Sequence, residues 1–188
     1  MSVDHTLDKL RQIGQLLPAC EFKGVQFCDI SPLLANPKLL DFACNELLKP
    51  FRGNLVDSVA GLEARGFIFG VLIAQKLGVP FVQLRKPGKL PGETLAQSYA
   101  KEYGTDTIEV QRHAIQPGQR VLLVDDILAT GGTLLAACQL VRAAGGEPAG
   151  CAVIAELPAL GGRARIKTEF GNIRIETLIS MDDKEESE

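Results

Sequence analysis

Residues 121–133 read Val-Leu-Leu-Val-Asp-Asp-Ile-Leu-Ala-Thr-Gly-Gly-Thr, and this stretch constrains the fold more than any other in the chain. The four leading apolar residues do not alternate with polar ones. That pattern predicts a strand buried on both faces, as in a parallel sheet covered by helices on either side. Parallel neighbours need long crossovers, so the segment by itself points to an α/β fold. Two acids, Asp125 and Asp126, stand at the carboxyl end of the predicted strand, where open α/β sheets bind their ligands. Ala129, Thr130, Gly131, Gly132 and Thr133 then make a tight turn that opens a helix. Small residues let backbone N–H groups approach an anion, the threonines can donate hydroxyl hydrogen bonds, and the helix N-terminus adds a favourable dipole. This is a phosphate cradle. Carboxylates repel phosphate, so the aspartates need a different partner, and the two hydroxyls of a ribose suit them. Together the acids and the loop predict a site for a ribose 5-phosphate.

The rest of the chain supports an alternation of strands and helices. Helical patterns are expected over residues 4–17, 37–48, 66–77 and 133–144. Asn36 is placed to cap the second, Pro37 fits its first position, and Gly78 closes the third. Strands are expected over residues 55–60, 79–84, 121–124 and 149–155, and a hairpin from residues 94–100 and 107–111 around Gly104. The class is therefore α/β, with a central mostly parallel sheet flanked by helices. At 188 residues one domain is expected, spanning about 1–180, and residues 181–188 form an acidic tail expected to be disordered. That tail carries five acids and one base, which leaves the body near neutral and without a broad basic footprint for nucleic acid. No apolar run reaches the length of a membrane span. The N-terminus lacks a basic segment followed by an apolar one, so a cytoplasmic setting is expected. The five cysteines include no C-x-x-C pair, and the two histidines have no zinc-like spacing. They read as small buried apolar residues. There is no G-x-G-x-x-G, and Gly61-x-x-x-x-Gly66 is followed by Phe67 rather than the lysine of a nucleotide-binding P-loop.

With the 121–133 motif, four more segments carry a resemblance: Val25-Gln26-Phe27-Cys28-Asp29-Ile30-Ser31-Pro32, Gly61-Leu62-Glu63-Ala64-Arg65-Gly66-Phe67, Arg85-Lys86-Pro87-Gly88-Lys89-Leu90-Pro91-Gly92, and Ser98-Tyr99-Ala100-Lys101-Glu102-Tyr103-Gly104. In order and spacing, from about residue 20 to 180, the chain resembles the type I phosphoribosyltransferases, and among them those that take adenine. The resemblance implies transfer of a phosphoribosyl group from phosphoribosyl pyrophosphate (PRPP) to N9 of adenine, with AMP and pyrophosphate as products. The resemblance also implies Mg²⁺ carried by PRPP, with no direct protein ligand beyond a water-mediated contact to Asp125 or Asp126.

The same resemblance implies roles for individual residues. Asp125, Asp126, Ala129, Thr130, Gly131, Gly132 and Thr133 would hold the ribose phosphate, and Arg65, Lys86 and Lys89 the pyrophosphate. Arg85 stands between a place in the site and one at a subunit interface. Glu102 would manage a proton at the purine N7, and Tyr103 would help close the site. Phe27 and Leu157 would sandwich adenine, beside Cys28. A small N-terminal hood over about residues 1–35, a flexible hairpin lid over about residues 93–112, and a homodimer are also implied. The turn at Glu63-Ala64-Arg65 resembles one that sometimes holds a cis peptide. Some relatives have Arg where this chain has Cys28, and a thiol cannot supply a guanidinium's charge. Ala129 stands where hypoxanthine–guanine enzymes place Asp to meet the N7 proton, which favours adenine. The alternatives are an enzyme for xanthine or another 6-oxopurine and, from another class, a PRPP-sensing regulatory protein.

Overall fold

The computed structural model describes residues 3–17, 19–22, 25–53, 55–100 and 104–181. The amino-terminal part runs through helix α1 (Val3–Leu16), the antiparallel pair β1 (Ala19–Phe22) and β2 (Val25–Cys28), the single turn α2 (Ser31–Leu34) and α3 (Pro37–Leu48). Asn36 caps α3, its side chain accepting the Leu39 N–H at 3.2 Å. A strand–helix–strand unit follows, made of β3 (Ser58–Leu62), α4 (Arg65–Leu77) and β4 (Phe81–Leu84). The hairpin β5 (Thr94–Ala100) and β6 (Thr105–Gln111) comes next. The chain then runs through β7 (Arg120–Leu128), α5 (Gly132–Ala143), β8 (Glu147–Glu156), α6 (Gly162–Phe170) and β9 (Ile175–Ser180). Gly78 ends α4 with φ +69°, as its place after the apolar run predicts.

The central sheet has five strands in the order β4-β3-β7-β8-β9, all parallel. The chain moves outward from β3 to β4, then returns to the other side of β3 with β7. The order therefore reverses between β3 and β7, and a crevice opens there at the carboxyl ends of the strands. The segments that follow those two strands are 63–66 and 129–133, so topology brings the Glu63–Gly66 turn and the Gly131–Gly132 turn to one edge.

As expected, β7 is buried on both faces. Leu122 and Val124 join a core built with α1 to α4, through Ile13, Leu33, Phe42, Leu47, Phe69 and Ile73. Val121 and Leu123 join a second core with α5, α6 and the hairpin, through Leu134, Cys138, Leu140, Ile166, Ile108 and Val110. Hydrophobic side chains removed from water on two sides fix the strand's register, because a slip of one residue would exchange its faces. Unlike the sequence expectation, β7 does not stop before the acids but runs on to Leu128. Pairing with β8 continues through Ile127↔Ala155 and Leu128↔Glu156, which holds the aspartates on a hydrogen-bonded strand rather than in a loop.

The hairpin forms over 94–111, paired from Thr94↔Gln111 to Ala100↔Thr105. Its base is anchored: Ile108 and Val110 are buried in the second core, and Arg85 and Glu109 exchange backbone hydrogen bonds of 2.9 and 2.6 Å. The pair β1–β2, helix α6 and strand β9 were not expected from the sequence. Four cysteines, Cys28, Cys44, Cys138 and Cys151, are buried free thiols, and burial pushes the Cys44 thiol up to about 11. They serve as packing groups. The acidic residues 182–188 lie outside the described residues. Among the described residues no helix is long and apolar enough to cross a membrane.

Candidate active site

A cavity of about 340 Å³ occupies the crevice between β3 and β7. One wall is contiguous in sequence and runs from Asp125 to Leu134; the other comes from Glu63, Ala64, Arg65 and Lys86, with Tyr99 and Asp106 from the hairpin. Glycine makes this close approach possible. A methyl group at Gly66 would lie 3.2 Å from the Asp125 Cα and press on the Val124 carbonyl. Only a bare backbone lets the first turn of α4 lie this close against β7.

That approach brings Arg65 to Asp126, and Arg65 Nε donates to Asp126 Oδ2. Asp126 is 3% exposed, and the guanidinium supplies the opposite charge that a buried carboxylate requires. Asp125 accepts the Asp126 backbone N–H at 2.9 Å. Burial pushes its carboxyl well above the ordinary carboxylate range, and the neighbouring Asp126 charge pushes it further. The two acids thus differ in surroundings: Asp126 is paired with the Arg65 guanidinium, whereas Asp125 holds its proton above the ordinary carboxylate range.

The 129–133 turn is as tight as the sequence predicts and opens directly into a helix. Gly131 lies at φ +75°, a conformation that side chains rarely adopt, and α5 begins at Gly132. The Leu135 N–H bonds back to the Gly131 carbonyl at 2.9 Å, so the helix starts immediately after the turn. The N–H groups of its first residues have no partner within the helix and remain available to an anion. Thr133 Oγ1 donates to the Tyr99 hydroxyl at 3.4 Å, which ties the hairpin to the mouth of the loop.

Glu63 organises the cationic wall. Its carboxylate takes Arg85 Nη2 at 2.9 Å and Nε at 3.2 Å, and the Lys86 backbone N–H at 2.9 Å. The Arg85 fork, helped by the Lys86 N–H, holds the Glu63 carboxyl below its usual range. The Glu63–Ala64 peptide is cis. Lys86 Nζ lies 3.5 Å from Asp106, whose carboxylate also accepts the Tyr99 hydroxyl at 3.4 Å.

Nine of the residues named from the sequence meet here: Arg65, Lys86, Asp125, Asp126, Ala129, Thr130, Gly131, Gly132 and Thr133. Lys89 does not line the cavity; its backbone N–H donates to the Lys86 carbonyl at 3.3 Å and its carbonyl accepts Arg85 Nη1 at 3.2 Å. Arg85 is engaged with Glu63 within the chain. Leu157 is half-buried after the end of β8, its N–H bonded to the Leu128 carbonyl at 2.9 Å. Phe27 pairs with Cys20 across the β1–β2 ladder. Cys28 is buried in the first core and does not line the cavity. Glu102 and Tyr103 lie outside the described residues. Sequence reasoning missed Glu63, Tyr99 and Asp106 as site residues. Tyr99 and Asp106 sit on a hairpin that the sequence does reveal, and the facing positions of its two strands were the available signal. Glu63 stands in the turn the resemblance singled out, but nothing local marks its carboxylate as the partner of Arg85 and Lys86.

Among the described residues no group of three His, Cys, Asp or Glu could hold a metal ion by itself. The adjacent carboxylates of Asp125 and Asp126 are oxygen donors of the kind that a hydrated Mg²⁺ on a pyrophosphate can meet through water.

Comparisons with known proteins agree with this geometry. The phosphoribosyl transferase domain family matches residues 31–184. The adenine phosphoribosyltransferase of Dinoroseobacter shibae is 47% identical over 173 residues, covering 92% of this chain and 96% of that protein. The crystal structure of adenine phosphoribosyltransferase from Rhodothermus marinus superposes with a TM-score of 0.87 at 45% identity, covering 93% of this chain and 99% of the other. The Saccharomyces cerevisiae enzyme, crystallised with an imino-altritol bisphosphate and adenine, matches with a TM-score of 0.82 at 36% identity, over 92% of this chain and 99% of the other. The chain belongs to the phosphoribosyltransferase family, in its adenine phosphoribosyltransferase branch.

Proposed function

We propose that the chain transfers the 5-phosphoribosyl group of PRPP to N9 of adenine, forming AMP and releasing pyrophosphate. One observation carries the reading. A carboxylate pair and a left-handed glycine loop face Arg65 and Lys86 across a single cavity at the sheet's switch point.

Each wall then has a task. The Gly131 turn and the start of α5 bind the 5-phosphate, and the aspartates accept hydrogen bonds from the ribose hydroxyls. In the reaction the bond from C1 to the pyrophosphate oxygen breaks as N9 bonds to C1, through a transition state with oxocarbenium character like that of glycoside cleavage. Negative charge grows on the leaving pyrophosphate, and Arg65 and Lys86 lie where they can stabilise it. Lys89 adds charge from the same segment. Mg²⁺ bound to pyrophosphate would supply further neutralisation, with Asp125 or Asp126 reached through water. Arg65 must loosen from Asp126 as substrate enters, so the ion pair keeps the arginine beside its task.

Phe27 and Leu157 are proposed to sandwich the base, with the backbone at Cys28 close to it. Glu102 takes up the proton lost from the purine, and Tyr103 closes the hairpin over the site. Ala129 has no acid to meet an N7 proton, which supports adenine over 6-oxopurines. By resemblance the chain works as a cytoplasmic homodimer, which light scattering in solution tests.

The deciding experiment offers adenine, hypoxanthine, guanine and xanthine separately with PRPP and Mg²⁺ and follows product. Adenine is consumed and AMP appears. Use of xanthine or guanine in its place would overturn the substrate assignment.

A further inference from the structure

Behind the phosphate loop, away from the cavity, lies a second backbone. A methyl group at Gly131 would fall 2.6 Å from the Gly162 carbonyl oxygen and 2.9 Å from the Gly162 Cα. Conversely, a methyl group at Gly162 would collide with the Ala129 carbonyl and lie 2.8 Å from the Gly131 nitrogen. The turn that receives phosphate is therefore backed directly by the first residue of α6, with no side chain between them. Arg165, one turn along α6, places Nη1 3.4 Å from the Thr130 carbonyl. Upstream, the Leu157 N–H bonds to the Leu128 carbonyl at 2.9 Å, just before the turn.

Next to this backing lies an ion pair the chemistry does not use. Glu156, 6% exposed at the end of β8, accepts Arg163 Nε at 2.9 and 3.1 Å. Arg163 Nη2 also donates to it. Arg163 Nη1 donates to the Ile175 carbonyl on β9 at 2.8 Å. The pair closes a loop from 156 to 163 and pins its far end, where Gly162 sits, to two strands. Burying such a pair adds little to stability compared with apolar packing, but a forked guanidinium fixes direction and distance.

We propose that Glu156 and Arg163 are positioning residues for phosphate binding: their ion pair sets Gly162 against Gly131 and holds the loop N–H groups in the geometry that receives the 5-phosphate. This rests on the functional reading above. Small displacements of a binding group have large effects, up to about a hundredfold for an ångström.

The test compares Arg163→Lys with Arg120→Lys. Arg120 makes a similar fork to Asp57, at 2.7 and 2.9 Å, at the opposite end of the sheet. Both substitutions keep the charge and lose the fork. Titration calorimetry measures binding of ribose 5-phosphate, and thermal unfolding measures stability. The expected result is that Arg163→Lys weakens ribose 5-phosphate binding and raises the KM for PRPP by about tenfold. Arg120→Lys should lower the unfolding temperature without altering ribose 5-phosphate affinity. Unchanged affinity in Arg163→Lys, or an equal loss in Arg120→Lys, overturns the positioning role while leaving the functional reading intact. Absence of ribose 5-phosphate binding by the unaltered chain overturns the functional reading and this proposal with it. Should Arg163→Lys fail to fold, Gly162→Ala asks the same question from the loop side and must weaken the same affinity.

Discussion

The two walls of the cavity are built in opposite ways. The wall from Asp125 to Leu134 is one uninterrupted piece of chain: a doubly buried strand, two acids, a left-handed turn and a helix start. The cationic wall is assembled from distant segments: Arg65 at the start of α4 bonds to Asp126, and Lys86 beyond β4 is held through its backbone N–H to the Glu63 carboxylate, which also takes Arg85. Their difference shows why one is legible locally and the other is not. Backbone N–H groups can be aimed by a turn alone, whereas cationic side chains from distant segments need acids elsewhere in the chain to hold them, as Asp126 holds Arg65 and Asp106 holds Lys86.

The contrast can be broken most severely on the contiguous wall. Replacing Asp125 and Asp126 together by Asn removes two charged acceptors, each worth about 1.5–3 kcal/mol when hydrogen-bonded. A fall in kcat/KM for PRPP of about a hundredfold or more is expected, by steady-state assay. Unchanged activity would remove the ribose assignment.

Gly131→Ala is the next largest. The residue must adopt φ +75° and its new methyl group meets the Gly162 backbone. A left-handed non-glycine residue costs about 1–3 kcal/mol before any clash, so the KM for PRPP should rise by roughly tenfold to a hundredfold. The KM for adenine should hardly change.

On the assembled wall, Glu63→Gln keeps an acceptor for the Lys86 N–H but gives up the charge that holds Arg85. A drop of about tenfold in kcat/KM for PRPP is expected. If Glu63 acts through the lysine, the effects of Glu63→Gln and Lys86→Ala will be less than additive in a double-mutant cycle. Full additivity would show that the two parts of the wall work independently.

The smallest effect concerns stability. A carboxyl whose value is raised on folding keeps its proton where the unfolded chain has lost it. The fold therefore loses stability as pH rises from the ordinary carboxylate value through the raised Asp125 value, and regains it as pH falls. Asp125→Asn relieves the repulsion from Asp126. The ligand-free variant should unfold a few degrees higher at neutral pH, about 2–4 °C for each kcal/mol in a chain of this size, with a flatter pH dependence. Calorimetry across pH would show an unchanged slope if Asp125 were ordinary in the fold.

Much of the sheet's interior was readable because burial on both faces leaves an unalternated apolar run, as at 121–124. The caps of α3 and α4 were readable because Asn36 and Gly78 act within one turn. Strand β9 escaped because Ile175–Ser180 is short and only Ile175 is buried. Helix α6 escaped because its apolar content is low, with Gly162 and Ile166 as its buried residues. Its part in backing the phosphate loop depends on a glycine contact between residues far apart in the chain, which no local pattern records.

By itself the sequence determined the α/β class, the strand through Val124 and the phosphate turn, because side-chain burial periodicity and glycine's conformational range act over a few residues. It also placed Arg65 and Lys86 in segments that resemble pyrophosphate-binding ones. Only the tertiary structure decided that these meet across one crevice, that Arg65 grips Asp126, that Asp125 holds its proton above the ordinary carboxylate range, and that Glu156 pairs with Arg163 beside Gly162. Those outcomes depend on strand order and on distances between charges, and both exist only once the chain has closed on itself.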